Sequence, residues 1–100
     1  MSAAVWRAVF APSAAEAVRG LPPDVKRSVR EALRVIIGDP YAGKAFLRDL
    51  HGLRSYRARR YRIVYQVAAA ARQVRVVAVA HRSSVYEDLA RRRMTERARK

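Results

Sequence analysis

Arginines are concentrated in one short segment of the sequence, SYRARRYRIVYQV, residues 55–67. Arg57, Arg59, Arg60 and Arg62 fall within six positions of it. Guanidinium groups this close together repel one another, so the cluster indicates a binding site for an anion. Guanidinium binds both phosphate and carboxylate in a bidentate geometry, which keeps both open as ligands. The alternative is an ordinary solvated surface in a protein whose codon usage favours arginine.

The same charge pattern extends well beyond this segment, because no acidic residue occurs between Asp49 and Glu87. The arginines of this stretch are Arg54, Arg57, Arg59, Arg60, Arg62, Arg72, Arg75 and Arg82. Solvated surfaces usually mix charges of both signs, since charge of one sign repels itself. With 22 Lys+Arg against 8 Asp+Glu, the whole chain carries a net charge of +14. Both observations predict a polyanionic partner.

Two side chains near these arginines are candidates for proton transfer if the anion is RNA. Cleavage of RNA requires donors for the developing charge on phosphate, a group that accepts the 2′-hydroxyl proton and a group that protonates the leaving 5′-oxygen. Arginine suits only the first role, because it does not release its proton at neutral pH. A phenol among cations ionises more readily and an imidazole exchanges protons near neutrality, which makes Tyr86 and His81 candidates. A packed residue at a strand end is the structural alternative for His81.

Several other classes of chemistry have no support in the sequence. The chain has no cysteine, so disulfides, thiolate nucleophiles and zinc-thiolate sites are excluded. Its 2 histidines and scattered carboxylates predict no metal site, and no P-loop, GxGxxG or HExxH motif predicts a cofactor. No apolar run approaches the roughly 18 residues of a membrane span, and the N-terminus does not resemble a signal peptide. We therefore expect a cytoplasmic protein with no membrane partner.

The elements that position these residues follow from hydrophobic periodicity. Residues 4–10 alternate as a strand, and residues 11–21 form a short Ala-rich helix. The next helix ends at Gly38, with Val25, Val29, Leu33 and Ile36 on one side. Residues 41–52 are expected to be a loop without regular structure, and residues 53–58, 61–68 and 73–81 to be strands. Arg57 and Arg59 are expected on one face of the first of these three strands, and Arg60 in the turn after it.

This order of elements predicts a small α+β domain. Two N-terminal helices pack on a four-stranded, mainly antiparallel sheet, and a short C-terminal helix follows. The last three strands form a meander because their connections are short, and the first strand reaches them by a longer return. We expect the domain to span residues 1–90, with a basic tail over residues 91–100.

Three segments of the chain, in this order, resemble the RelE/ParE superfamily of toxins from bacterial type II toxin-antitoxin pairs. They are LPPDVKRSVREALRVIIGDP, YRARRYRIVYQV and VVAVAHRSSVYEDL, and the resemblance covers most of the chain. It implies a microbial-RNase-like fold and a cognate acidic antitoxin that wraps the toxin in a heteromeric complex. In the RelE branch it implies an endoribonuclease that cleaves mRNA in the ribosomal A site and so inhibits translation.

The resemblance also implies roles for individual residues. Arg62 matches a phosphate contact, Arg82 an arginine that stabilises the transition state, and Tyr86 a tyrosine that stacks on a base or helps to activate the nucleophile. Arg57 and Arg59 match basic positions that hold the RNA backbone or transfer protons. The expected catalytic residues are therefore Arg62, Arg82, Tyr86 and Arg59. The expected RNA-binding residues are Arg54, Arg57, Arg60 and His81.

Two other functions remain open at this stage. The ParE branch shares the fold, lacks the basic and tyrosine set, and inhibits DNA gyrase without cleaving RNA. The presence of Arg62, Arg82 and Tyr86 favours the RelE branch, although a shared fold does not determine function. The third reading is a nucleic-acid-binding module without activity, for which about six phosphate contacts on single-stranded RNA predict a log-log salt slope near −4.

Overall fold

The computed structural model describes residues 5–45 and 52–84, which form two helices and five strands. In chain order these are β1 (Arg7–Phe10), α1 (Pro12–Arg19), α2 (Pro23–Gly38), β2 (Lys44–Ala45), β3 (Leu53–Ala58), β4 (Tyr61–Ala68) and β5 (Gln73–His81). A single 3₁₀ turn, Ala69–Ala71, joins β4 to β5. The bounds of β3, β4 and β5 agree with the predicted strands. The predicted C-terminal helix and basic tail lie outside the described residues.

All five strands belong to one mixed sheet with the order β1-β5-β4-β3-β2. Strand β1 runs parallel to β5, and every other neighbouring pair is antiparallel. The prediction of four strands is therefore wrong, because β2 adds a fifth at one edge. Strand β2 lies in the segment that was expected to be an irregular loop. A strand of two residues is too short to produce a detectable alternation of apolar residues, which is why the sequence pattern did not indicate it.

Helix α2 packs on the sheet through the apolar side that its sequence predicts. Pro23 occupies the first turn, where its missing N–H leaves no hydrogen bond unmade. Val29 and Ile36 are fully buried, and Val25 and Leu33 pack against the same core. The sheet contributes its largest buried side chains to this core, Ile63, Tyr65, Val74 and Val76. Both helices therefore cover one side of the sheet, which we call the helix face.

The opposite side of the sheet, which we call the open face, carries the alternating residues of the same strands. In β3 and β4 these include Ser55, Arg57, Arg62 and Val64. Val64 and Ala80 are buried in a second apolar cluster, against which Leu53, Val77 and Ala78 pack. The register of β4 and β5 shifts between Val64 and Tyr65, where Val77 is the additional residue of a bulge. This bulge lets Val76 and Val79 both reach the core on the helix face.

The β3–β4 hairpin closes with a two-residue turn, Arg59–Arg60. Arg59 has a φ of 57°, the left-handed region that a two-residue hairpin needs at its first position. The prediction that Arg59 continues β3 beside Arg57 is therefore wrong, since β3 ends at Ala58. The tight turn reverses the chain one residue earlier than side-chain alternation suggested.

Candidate nucleic-acid interface on the open face

Arg57 and Arg62 stand directly opposite each other on β3 and β4. Opposite residues of an antiparallel pair have Cβ atoms about 5 Å apart, and like charges at this separation destabilise the sheet. Arg57 is exposed and Arg62 is half-buried. A hydrogen bond from Arg62 Nη1 to Ser55 Oγ (3.0 Å) holds the Arg62 guanidinium on this face. The pair forms a fixed cationic site without an acidic neighbour among the described ion pairs.

Ser55 is a contributor to this site that the sequence analysis missed. It is the one buried polar residue in the described core, and its hydroxyl accepts the Arg62 hydrogen bond. Its position two residues before Arg57 places both side chains on one face of β3, which was the available signal. Ser55 fixes the direction of Arg62 and thereby reduces the entropy lost when an anion binds.

Arg82 lies at the same end of the sheet, although it is 20 positions further along the chain than Arg62. Its backbone N–H donates to the carbonyl of Arg60 (2.8 Å), which extends the pairing of β4 and β5 by one position. Arg82 follows the last residue of β5, and this bond places it beside the hairpin turn. Arg60 and Arg82 are both exposed. Tyr86, the expected catalytic tyrosine, lies outside the described residues.

Arg59 is directed toward helix α2 by an ion pair. Its Nη1 atom lies 3.2 Å from Oδ2 of Asp24, in the first turn of α2, and both side chains are largely exposed. An exposed pair of this kind contributes at most about 1 kcal/mol to stability. Arg59 therefore bridges the hairpin to the helix, whereas Arg57 and Arg62 have no such acidic contact in the described part of the chain.

Arg54 lies on the helix face, away from Arg57 and Arg62. It stands opposite Tyr65 on β4, and its Nη1 atom donates to the carbonyls of Gly43 (2.7 Å) and Tyr41 (3.3 Å). Its guanidinium carbon also lies 5.0 Å from the centre of the Tyr41 ring. Arg54 and Arg57 are three residues apart in one strand. Because side chains alternate between the two faces of a strand, these two must lie on opposite faces. The structure therefore separates Arg54 from the open-face arginines and connects it to the segment before β2.

His81 also belongs to the helix face by alternation, since Val79 is a core residue there. It pairs with Tyr61, and the two rings form an edge-on contact with centroids 5.6 Å apart. The Ser83 backbone N–H donates to His81 Nδ1 (3.3 Å), and the Ser83 hydroxyl lies 2.8 Å from the same nitrogen. The backbone bond favours Nδ1 as an acceptor, which assigns the ring proton of the neutral imidazole to Nε2. His81 thus sits at the same end of the sheet as Arg82, with its ring on the helix face.

Tyr65 joins the core to the segment that precedes β2. Its fully buried hydroxyl donates to the Pro40 carbonyl (2.8 Å) and accepts from the Gly43 N–H (2.9 Å). Burial raises the pKa of the Tyr65 phenol above its ordinary value of 10.0, although the Gly43 hydrogen bond and the Arg54 charge act in the opposite direction. Tyr65 is therefore a neutral structural group and has no access to the open face.

Two classes of feature are absent from the described part of the chain. Residues 5–45 and 52–84 contain no group of three or more His, Cys, Asp or Glu side chains that could hold a metal ion. Within the same ranges, no helix has both the length and the apolar character needed to cross a bilayer.

Comparison with known proteins agrees with the fold. Residues 8–86 match the family described as the ParE toxin of the type II toxin-antitoxin system parDE. No functionally curated protein matches the chain significantly. Among solved structures, the RelBE2 toxin-antitoxin complex from Mycobacterium tuberculosis includes a chain that is 28% identical, with a TM-score of 0.71, over 77% of this chain and 98% of that chain.

Two further structures show the range of the similarity. The isolated E. coli RelE toxin is 26% identical, with a TM-score of 0.68, over 87% of this chain and 97% of its own. The YoeB/ParE toxin from Agrobacterium tumefaciens is 18% identical, with a TM-score of 0.67, over 75% of this chain and 96% of its own, which shows a shared fold alone.

The two helices and the mixed five-stranded sheet define a small α+β domain of the kind seen in the solved toxin structures. Because the family match spans most of its length, this chain belongs to the RelE/ParE superfamily of toxins from type II toxin-antitoxin systems.

Proposed function

We propose that this toxin is a ribosome-dependent endoribonuclease that cleaves mRNA in the A site and so inhibits translation. The observation that carries the proposal is the Arg57–Arg62 pair, two like charges placed opposite each other on the open face. Such a pair costs stability unless an anion occupies the site. Arg82 at the same end of the sheet supplies a third guanidinium. Three cations around one position suit a phosphate whose charge increases during reaction.

The proposed reaction is attack of the RNA 2′-oxygen on the adjacent phosphorus. A bond forms between phosphorus and the 2′-oxygen, and the bond to the 5′-oxygen breaks. Arg62 and Arg82 hold the non-bridging oxygens, and Arg57 holds the backbone next to them. The 2′-hydroxyl proton must be accepted and the 5′-oxygen protonated, and Tyr86 is the proposed participant in this transfer. Arg60, in the hairpin turn, contacts the RNA at the edge of the site, whereas Arg59 is held toward α2 by Asp24.

The ribosome is proposed to supply the alignment that the toxin itself lacks. Among the described residues, Asp24 forms the only ion pair with the hairpin, and it lies on the helix side. The described carboxylates, Glu16, Asp24, Glu31 and Asp39, lie in the two helices or directly after α2, so none of them is placed as a base on the open face. Holding the reacting groups in line replaces much of what a strong base would contribute. Free RNA should consequently be a poor substrate.

The proposed partner that controls this activity is a cognate acidic antitoxin. The similarity to the toxin-antitoxin complex from M. tuberculosis supports a partner of this kind. A net charge of +14 favours a strongly acidic segment, which associates rapidly with such a surface. Residues on the open face would be covered in a heteromeric complex of this type.

Toeprinting on translating ribosomes tests the proposal directly. We expect the wild-type toxin to produce codon-phased cuts. Arg62→Ala and Arg82→Ala should reduce the cleavage rate about 100-fold or more, because each removes a donor to the developing charge. Arg30→Ala is the matched control, since Arg30 is exposed on α2 and should leave cleavage unchanged.

Growth arrest provides a second measurement on the same variants. Arg82→Ala and Tyr86→Phe should relieve growth arrest and still bind the antitoxin. If both variants remain fully toxic, the assignment of these residues is wrong.

The second candidate function is inhibition of DNA gyrase, which the match to the ParE toxin family favours. This function predicts that the toxin inhibits supercoiling by purified gyrase and makes no cuts in mRNA. A gyrase supercoiling assay with the wild-type toxin and Arg62→Ala separates the two functions. Gyrase inhibition without codon-phased cuts in mRNA would contradict the ribonuclease proposal and support gyrase as the target.

A further inference from the structure

Lys44 in β2 lies on the same face of the sheet as the Arg57–Arg62 pair. It is paired with Ser55, and opposite residues of an antiparallel pair project to the same side. Ser55 is on the open face, since its hydroxyl accepts the hydrogen bond from Arg62. The register therefore places the only lysine of the described strands beside the cationic site.

The neighbouring glycine gives the same orientation independently. A Cβ atom built on Gly43 would collide with the Tyr65 hydroxyl, so position 43 faces the core side. Successive residues of a strand project to opposite faces, which directs Lys44 to the open face. Lys44 is exposed, and its side chain has no hydrogen bond or ion pair with any described residue.

A clamp of two side chains, one from β3 and one from β4, holds this short strand in place. We define the clamp as the Tyr65 hydroxyl, bonded to Pro40 and Gly43, together with the Arg54 guanidinium, bonded to Gly43 and Tyr41. Two residues of edge strand are too few to hold their own register without such support. The clamp uses the Arg54 side chain, which alternation places on the helix face, and it gives Lys44 a defined position.

We propose that Lys44 is a further RNA-binding residue, which contacts the phosphate next to the one bound by Arg57 and Arg62. From strand spacing and rise, its Cα lies about 8 Å from that of Arg57, within reach of a neighbouring phosphate for a long flexible side chain. The proposed ligand is the backbone of single-stranded RNA. Arg54 and Tyr65 act as positioning residues for Lys44. The inference rests on the proposed function only in taking RNA as the anion.

Salt-dependent RNA binding by the full chain tests this contact. The probe is a fluorescein-labelled single-stranded RNA whose 2′-positions are O-methylated, so that it cannot undergo 2′-oxygen attack. Each lost contact reduces the slope of log affinity against log salt by about 0.7. Lys44→Ala should therefore show this decrease and bind about fivefold more weakly at 0.1 M salt than the wild type. Lys44→Arg should retain the wild-type slope.

Lys26→Ala is the matched control, because it removes the same charge from α2 on the helix side of the sheet. It should leave the slope unchanged. The positioning role has a separate test in a double-mutant cycle. If the clamp positions Lys44, Tyr65→Phe should reduce the effect of Lys44→Ala on RNA affinity, whereas a purely structural effect would leave the two changes additive.

The outcomes separate this inference from the proposed function. Equal slopes for Lys44→Ala and the wild type, or no salt-dependent RNA binding by the wild type, would overturn the Lys44 contact. A reduced slope with no ribosomal cleavage would support Lys44 and contradict the ribonuclease proposal. Ribosomal cleavage together with an unchanged slope for Lys44→Ala would support the ribonuclease proposal and contradict the Lys44 contact.

Discussion

At the scale of single residues, a phenol in the core has the largest structural effect on the site. The Tyr65 hydroxyl satisfies the Gly43 N–H and the Pro40 carbonyl, which are 22 and 25 positions away in sequence. A buried backbone group without its partner costs about 1–3 kcal/mol. The identity of residue 43 follows from the same contact, because a side chain there would displace the phenol.

Tyr65→Phe should lower the free energy of unfolding by about 1–3 kcal/mol at neutral pH, measured by urea denaturation. It should also change the alkaline pH dependence. The folded pKa of Tyr65 is raised, so its phenol keeps its proton in the folded state where the unfolded chain ionises. Wild-type stability should therefore be complete below about pH 10 and decrease above it.

In Tyr65→Phe this part of the alkaline decrease should be absent. Tyr41→Phe is the control for loss of a phenol, since the Tyr41 ring is 56% exposed and its hydroxyl makes none of the described hydrogen bonds. An identical loss of stability above pH 10 in wild type and Tyr65→Phe would contradict the role of burial.

At the scale of elements, the β3–β4 hairpin combines the proposed anion site with a stability cost. It places Arg57 and Arg62 opposite each other, whereas a sheet selected only for stability would pair opposite charges. The hairpin turn also holds Arg59 at a φ of 57°, a conformation that few residues other than glycine favour. The proposed anionic ligand would account for the first feature, and the two-residue turn accounts for the second.

Arg57→Glu should therefore make the protein more stable and less active. Replacing the cross-strand repulsion by attraction to Arg62 should raise the free energy of unfolding by about 0.5–1 kcal/mol, measured by urea denaturation. The same change should weaken RNA binding and ribosomal cleavage. Arg75→Glu serves as the control for net charge, because Arg75 faces Gln66 at the other end of β4. A stability gain no larger than that of Arg75→Glu would argue against a specific cross-strand repulsion.

The sequence predicted these elements correctly where the pattern of apolar residues lies within a single helix or strand. Strands β3, β4 and β5 have the predicted bounds, and the apolar side of α2 is the predicted one. The short strand β2 was not predicted, since its pairing depends on the Tyr65 and Arg54 contacts from other strands. The parallel pairing of β1 with β5 likewise depends on a long-range return that no local pattern encodes.

At the scale of the whole molecule, the net charge of +14 acts on stability and on association together. Self-repulsion of this size destabilises the compact state and falls when salt screens it. An acidic antitoxin would act in the same direction by neutralising the basic surface, and its binding would add stability by mass action.

Raising NaCl from 0.05 to 0.5 M should therefore increase the Tm by a few degrees, since about 1 kcal/mol shifts the Tm of a domain this size by roughly 4–8 °C. Thermal unfolding followed by circular dichroism measures the shift. Arg57→Glu lowers the net charge and should show a smaller increase. A Tm that stays constant or falls with salt would contradict a destabilising role for the net charge.

The sequence alone determined the elements with strong periodicity, the excess of arginine over acid and the resemblance to the toxin superfamily. These properties depend on residue types and short spacings. The tertiary structure decided which arginines share a face. In the folded chain Arg82 lies beside the hairpin, Arg54 and His81 lie on the helix face, and Arg59 lies in the turn. The reason is physical: the face of a side chain depends on strand register and turn length, and contacts between distant segments fix both.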